Sequence, residues 1–150
     1  MRHYPELPLR GLQSGKIAGM EAKSTPLILR WLPAMIVMMA IFFLSGQPAS
    51  RIPNFGDYDL LIKKLGHASG YALLGLAYYF ALPPYLKVGY RWALALLMAI
   101  LFALSDEFHQ SFVEGRNSSL IDVMIDTAGA ACALSLGAIY SSNSRSKSSS

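Results

Sequence analysis

The chain is short of charge. Asp, Glu, Lys and Arg make up 15% of its 150 residues, where a soluble domain carries about a quarter. Cysteine is scarcer still. Cys132 is the sole one, so no intrachain disulfide can form, and it says nothing about redox compartment. There is no CxxC pair, GxSxG elbow, Gly-rich phosphate loop or HExxH zinc spacing. The usual sequence marks of thiol redox, serine-hydrolase, nucleotide and zinc-protease chemistry are therefore absent. No internal repeat is visible. An early apolar run is missing too, because charged residues recur up to Lys23, and this argues against a secretory signal peptide.

What is abundant is apolar length. The chain is 53% hydrophobic with a mean hydropathy of +0.37. Four apolar segments stand out: Leu27 to Gln47, Leu65 to Leu86, Gly89 to His109 and Ser119 to Tyr140. A membrane-spanning helix needs about 20 mostly apolar residues. The first, second and fourth segments reach that length readily. The third does so only if its polar end sits at the interface. A soluble bundle would need a solvated face on each helix, and "MIVMMAIFFL" and "ALALLMAILFAL" offer none.

The sequence thus predicts an all-α, polytopic integral membrane protein, with four transmembrane helices in a small bundle over residues 26–140. Residues 1–25 read as a flexible arm, and "MEAKSTPLILRWLP" makes Met20 a natural alternative start to Met1. The Ser-rich stretch 141–150 reads as a disordered tail. Small residues recur at helical spacing as Gly66 and Gly70, then Gly129, Ala133 and Gly137, a pattern that lets helix backbones approach closely in lipid.

Net charge is +4 and the pI about 9.3. Basic character suits nucleic acid or anionic lipid, and its distribution favours lipid. The N-terminal arm, the loop between the second and third segments and the tail carry nine Lys and Arg, against four at Arg51, Lys63, Lys64 and Arg116. The excess belongs on the cytoplasmic side. Both termini are then inside a plasma (inner) membrane, and no nucleic-acid partner is expected. Starting from Met20 the count is six against four.

In this topology the polar ends of all the helices meet outside. "SDEFHQSFVEGR" (105–116) ends the third segment, Ser45 and Gln47 end the first, Lys64, His67 and Tyr71 begin the second, and Asp122 and Asp126 begin the fourth. Asp106, His109 and Gln110 share a helix face, as do Asp122 with Asp126 and His67 with Tyr71. Asp126 falls about 10 Å below the interface at 1.5 Å per residue. A carboxylate there costs on the order of 2–3 kcal/mol, so it needs a partner inside the bundle. Plainer readings stand beside these. Glu107 can end a helix at the headgroups, His109 can meet only water, and Arg116 can meet lipid phosphate. Lys63 and Lys64 read as interface anchors, and Asp57 and Asp59 as solvated loop acids. "GRNSSLID" reads as a helix start capped by Ser118 or Ser119, with Asp122 in the first turn.

"IFFLSGQP" (41–48), "KKLGHASGYALLG" (63–75) and "SDEFHQSFVEGRNSSLIDVMIDTAGA" (105–130) resemble the VanZ-like membrane proteins over about residues 31–138. The family's pattern is S-x-Q-P, K-x-x-H-x-x-x-Y, D-E-x-x-Q with a G-R, and D-x-x-x-N-T-x-G. The signature positions are Ser45, Gln47, Lys64, His67, Tyr71, Asp106, Glu107, Gln110, Gly115, Arg116, Asp122 and Gly129. Asp126 departs from the family, which more usually has Asn there. The resemblance implies a four-helix integral membrane protein of the cell envelope. The founding member is tied to lowered susceptibility to teicoplanin, a lipid-bearing glycopeptide antibiotic.

The leading functional expectation is an outward polar site for a lipid headgroup, a lipid-linked cell-wall precursor or a lipophilic drug. Arg116 and Lys64 would meet phosphate or carboxylate. Asp106, Gln110, His67 and Tyr71 would fix other polar groups, Asp122 would orient Arg116 or His67, and Asp126 would anchor helix packing. The alternative is a hydrolase or transferase on an outer-leaflet lipid, with His109 or His67 as base and Asp106 or Glu107 as acid. Proton-coupled transport on Asp126 is the third reading. No cofactor and no metal is expected, although His67, His109, Asp106, Glu107 and Asp122 form a conceivable ligand set. The oligomeric state is open.

Overall fold

A computed structural model describes residues 26–147, with side chains as far as Tyr140. The expected N-terminal arm and alternative start lie outside these residues. The architecture is all-helical: α1 (Leu27–Ser45), α2 (Asp59–Ala81), α3 (Val88–Gln110) and α4 (Leu120–Lys147). Short 3-10 turns at Ala49–Arg51 and Gly56–Tyr58 lie between α1 and α2.

Local chemistry sets the boundaries. Pro26, extended at φ −51°, ψ 141°, precedes α1. Gly46 closes that helix with its N–H bonded to Phe42 O at 3.0 Å, and Pro48 disfavours further helix at Gln47. α2 stops short of its expected end at Leu86. Pro83 forces Leu82 out to ψ 146°. α2 also begins before the expected Leu65, because the 3-10 turn at Gly56–Tyr58 feeds directly into it. Between α3 and α4 the chain turns at Gly115, whose φ of +73° suits glycine. Ser119 Oγ then accepts the Ile121 N–H at 3.2 Å, so Ser119 is the α4 cap. α4 itself continues past Tyr140 to Lys147.

α2 packs against all the other helices, most intimately against α4. A Cβ on Gly129 would lie 2.3 Å from Ala68 O, and one on Gly137 would lie 2.9 Å from Leu76 Cδ2. Those glycines permit the close approach that their spacing suggests. Gly70 faces Ile41 of α1, whereas Gly66 faces open space, so Gly66 has no packing role. α3 turns a stripe of Ala95, Ala99 and Ala103 inward, each at most 1% exposed.

The bundle holds charged and polar groups inside its apolar core and turns large apolar side chains outward. Arg91, Asp106, Glu107, Gln110 and Asp126 are all buried. Ile28, Met39, Phe43, Phe108, Met124 and Leu136 are all exposed. A soluble protein reverses this. α1, α3 and α4 are long and apolar enough to cross a membrane, with mean hydropathies of 2.3, 1.8 and 1.5. α2, expected as a ready span, is not among them. Its early Asp59, Lys63 and Lys64 and its later His67, Tyr71, Tyr78 and Tyr79 lower its apolarity, and neighbouring helices cover several of these groups. α3, expected as the marginal span, qualifies outright on the length and hydropathy of its apolar run.

Candidate functional site

The C-terminal ends of α1 and α3 meet the N-terminal ends of α2 and α4, and there a cleft of about 250 Å³ opens. Lys64 and His67 of α2, Glu107 and Gln110 of α3, Arg116 of the connecting loop, and Asp122 and Asp126 of α4 all line it. These residues lie up to 62 positions apart, from Lys64 to Asp126, and the fold brings them to one place.

Ion pairs consume most of the charge. Lys64 Nζ donates to Asp122 Oδ1. Asp122 therefore does not orient Arg116 or His67, as the sequence suggested. It is held by the lysine one turn above His67, which also turns Lys64 from a lipid anchor into a cross-link between α2 and α4. Lys63 Nζ donates to Asp59 Oδ2 at 2.7 Å. Asp59 also accepts the Phe55 N–H at 3.2 Å, so it is a paired acid that organises the helix start. Both Asp59 and Lys63 line the cleft. Their i, i+4 spacing was the signal that could have paired them.

Arg116 is different. It finds no carboxylate among the described residues, and its guanidinium reaches only the carbonyls of Gln47 and Leu44, each at 3.4 Å. Its position depends on the neighbouring glycine. A Cβ on Gly115 would lie 2.9 Å from Ala49 Cβ, and the Ala49 N–H donates to Glu114 O at 3.2 Å, tying the α1–α2 and α3–α4 connections together.

Deeper in the bundle, Asp126 is 1% exposed and its Oδ2 lies 3.6 Å from His67 Nδ1. This is the interior partner that the cost of burial requires. Asp106 is buried as well. Its Oδ2 accepts from Ser45 Oγ at 2.8 Å and from Gln110 Nε2 at 3.0 Å. Asp106 and Ser45 thus bolt α1 to α3 behind the cleft wall and do not line it. Tyr71 is fully buried, its ring tilted against Phe102 at 6.1 Å. Gln47 donates its amide to Phe43 O at 3.2 Å.

Glu107 does not end α3 at the headgroups. It is buried, and its Oε2 accepts the Ser119 N–H at 2.8 Å, across the connection to α4. His109 turns away from the cleft and stacks on Phe42, ring centroids 4.1 Å apart at 24°. It shares a helix with Asp106 and Gln110, yet neither bonds it. The conceivable metal set does not assemble: no group of three or more His, Cys, Asp or Glu among the described residues could hold a metal ion.

The model of the VanZ/LLP1 family matches residues 30–141. A match over that share of the chain places it in the family, and the protein is a VanZ/LLP1 member. No curated protein and no solved structure matches the chain.

Proposed function

We propose that the protein is a plasma-membrane protein whose four helices all cross the bilayer and whose cleft binds the anionic headgroup of an amphiphile at the outer face. One observation carries this reading. Arg116 stands on the cleft wall with only long contacts to carbonyls, while the adjacent Lys63 and Lys64 are matched to carboxylates. A guanidinium has a fork of donors shaped for phosphate or carboxylate, and the outward apolar side chains put that fork beside lipid. A phospholipid, a lipid-linked cell-wall precursor and a lipophilic glycopeptide all carry suitable groups. The last would connect the cleft to the resistance phenotype of the family's founding member.

The distribution of Lys and Arg supports cytoplasmic termini and an outward cleft. α2 crosses despite its polar residues because the other helices cover them. A lipid-hydrolysing reading draws on His67 and Asp126, a base held near an orienting carboxylate within the cleft. His109 drops out of it, being stacked on Phe42 and absent from the cleft wall.

The test is lipid mass spectrometry on gently extracted wild type and Arg116→Gln at matched abundance. An anionic lipid or lipid-linked precursor is expected on wild type and about tenfold depleted on the variant, the loss of a charge-assisted contact. Identical lipid profiles would overturn the headgroup site. Conversion of the lipid to a product by wild type, lost in His67→Ala, would move the assignment to an enzyme.

A further inference from the structure

α2 carries a second feature below the cleft. An apolar groove of about 250 Å³ runs between α1 and α2, walled by Ile36, Val37 and Ile41 on one side and Gly70 and Leu73 on the other. A water takes about 30 Å³ of liquid volume, so the groove has room for several methylene-sized groups. Its upper wall includes His67, which also lines the cleft. Lys63, Gly66, His67 and Gly70 follow one another at i, i+3, i+4 and i+7, so a single stripe of α2 descends from the cleft into the groove. From His67 to Leu73 the stripe runs about 9 Å along the helix.

Gly66 keeps this stripe open. A Cβ there would meet no heavy atom within 4 Å, so nothing in the packing of the bundle accounts for the missing side chain. On the other flank of α1, a groove of about 470 Å³ is lined by Met35, Met38, Met39, Phe42, Phe43 and Phe102. It shares no residue with the cleft. Of these grooves only the one on α2 shares a wall residue, His67, with the cleft.

We propose that the α1–α2 groove receives the hydrocarbon chain of the same amphiphile whose anionic head lies at Arg116. This inference rests on the headgroup reading and adds the chain to it. Head and tail are read by separate walls that meet at His67. The ligand class narrows to a chain-bearing phosphate or carboxylate, and water-soluble phosphates with the same head are held more weakly.

The full chain in phosphatidylcholine nanodiscs tests this with two probes, glycerol phosphate and an oleoyl monoacylglycerol phosphate. Wild type should bind the oleoyl probe more tightly. Gly66→Leu places a side chain in open space at the groove, and it should weaken the oleoyl probe about tenfold, the loss of some two buried methylenes. It should leave glycerol phosphate binding unchanged. An unchanged melting temperature shows that Gly66→Leu folds, and Arg116→Gln should weaken both probes. If Gly66→Leu binds the oleoyl probe as wild type does while Arg116→Gln weakens it, the groove does not hold the chain and the headgroup reading stands alone. If wild type binds neither probe, the headgroup reading fails and this inference with it.

Discussion

Asp126 shows how a buried residue can be constrained by its partner more than by its own identity. Its side chain is 1% exposed, and His67 Nδ1 at 3.6 Å is its ion-pair partner. Both carboxylate oxygens lack a hydrogen bond among the described residues. Removing one member of a buried pair leaves the other uncompensated, and that is the expensive change. His67→Ala should therefore lower the melting temperature of the detergent-solubilised protein. In an Asp126→Asn background the same change should cost less. The coupling from the double-mutant cycle should be about 1 kcal/mol. Additive effects would show that the pair is not an energetic unit. The burial of Asp126 was legible from its depth in an apolar helix. Its histidine was not, because no spacing rule links residues on α2 and α4. The same limit misassigned Asp122, expected to orient Arg116 or His67, which the fold gives to Lys64.

Helices in this molecule finish one another's ends. Glu107 of α3 accepts the Ser119 N–H at the head of α4. At the opposite end of the bundle Arg30 of α1 donates to Leu82 O at 2.6 Å, and Arg91 of α3 donates to Tyr79 O at 2.6 Å. Terminal N–H and C=O groups have no partner within their own helix, and in lipid no water supplies one. Glu107→Ala should cost about 1 kcal/mol in thermal stability and speed hydrogen exchange in the first turn of α4, while Glu107→Gln, which keeps an acceptor, should cost less. Equal losses in both would remove the capping role. At the α2–α4 contact, Gly129→Ala would press a methyl against the Ala68 carbonyl, which is backbone and cannot swing aside. A loss of about 1–3 kcal/mol is expected there, against none for Gly66→Ala. Hydrophobic runs and prolines made the helices themselves legible. The capping arginines were not, since Arg30 and Arg91 read from sequence as loop charges, and only tertiary contact shows them bonded to α2 carbonyls.

For the molecule as a whole, the proposed topology turns on α2. A chain with three crossings leaves its termini on opposite faces, and one with four returns them to the same face. Hydropathy alone favours the former, since only α1, α3 and α4 qualify by length and composition. Packing favours the latter. α2 touches every other helix, and its Tyr71 and Tyr79 are fully buried. Their polar atoms therefore do not face lipid, and the central helix of a bundle need not be apolar in order to cross. Cysteine labelling decides between them. Cys132 is exposed on α4 and must first become alanine. In that background Asp57→Cys lies just before α2, and Tyr85→Cys, at a position 84% exposed, lies just after it. A membrane-impermeant maleimide applied to intact cells should label Asp57→Cys and leave Tyr85→Cys unreacted until the cells are lysed. Labelling of Tyr85→Cys alone would keep the crossing but turn the cleft to the cytoplasm. Equal labelling of both would place the ends of α2 on one side. A helix of 23 residues is about 35 Å long, so it would then have to lie along the interface, which is incompatible with its burial among α1, α3 and α4.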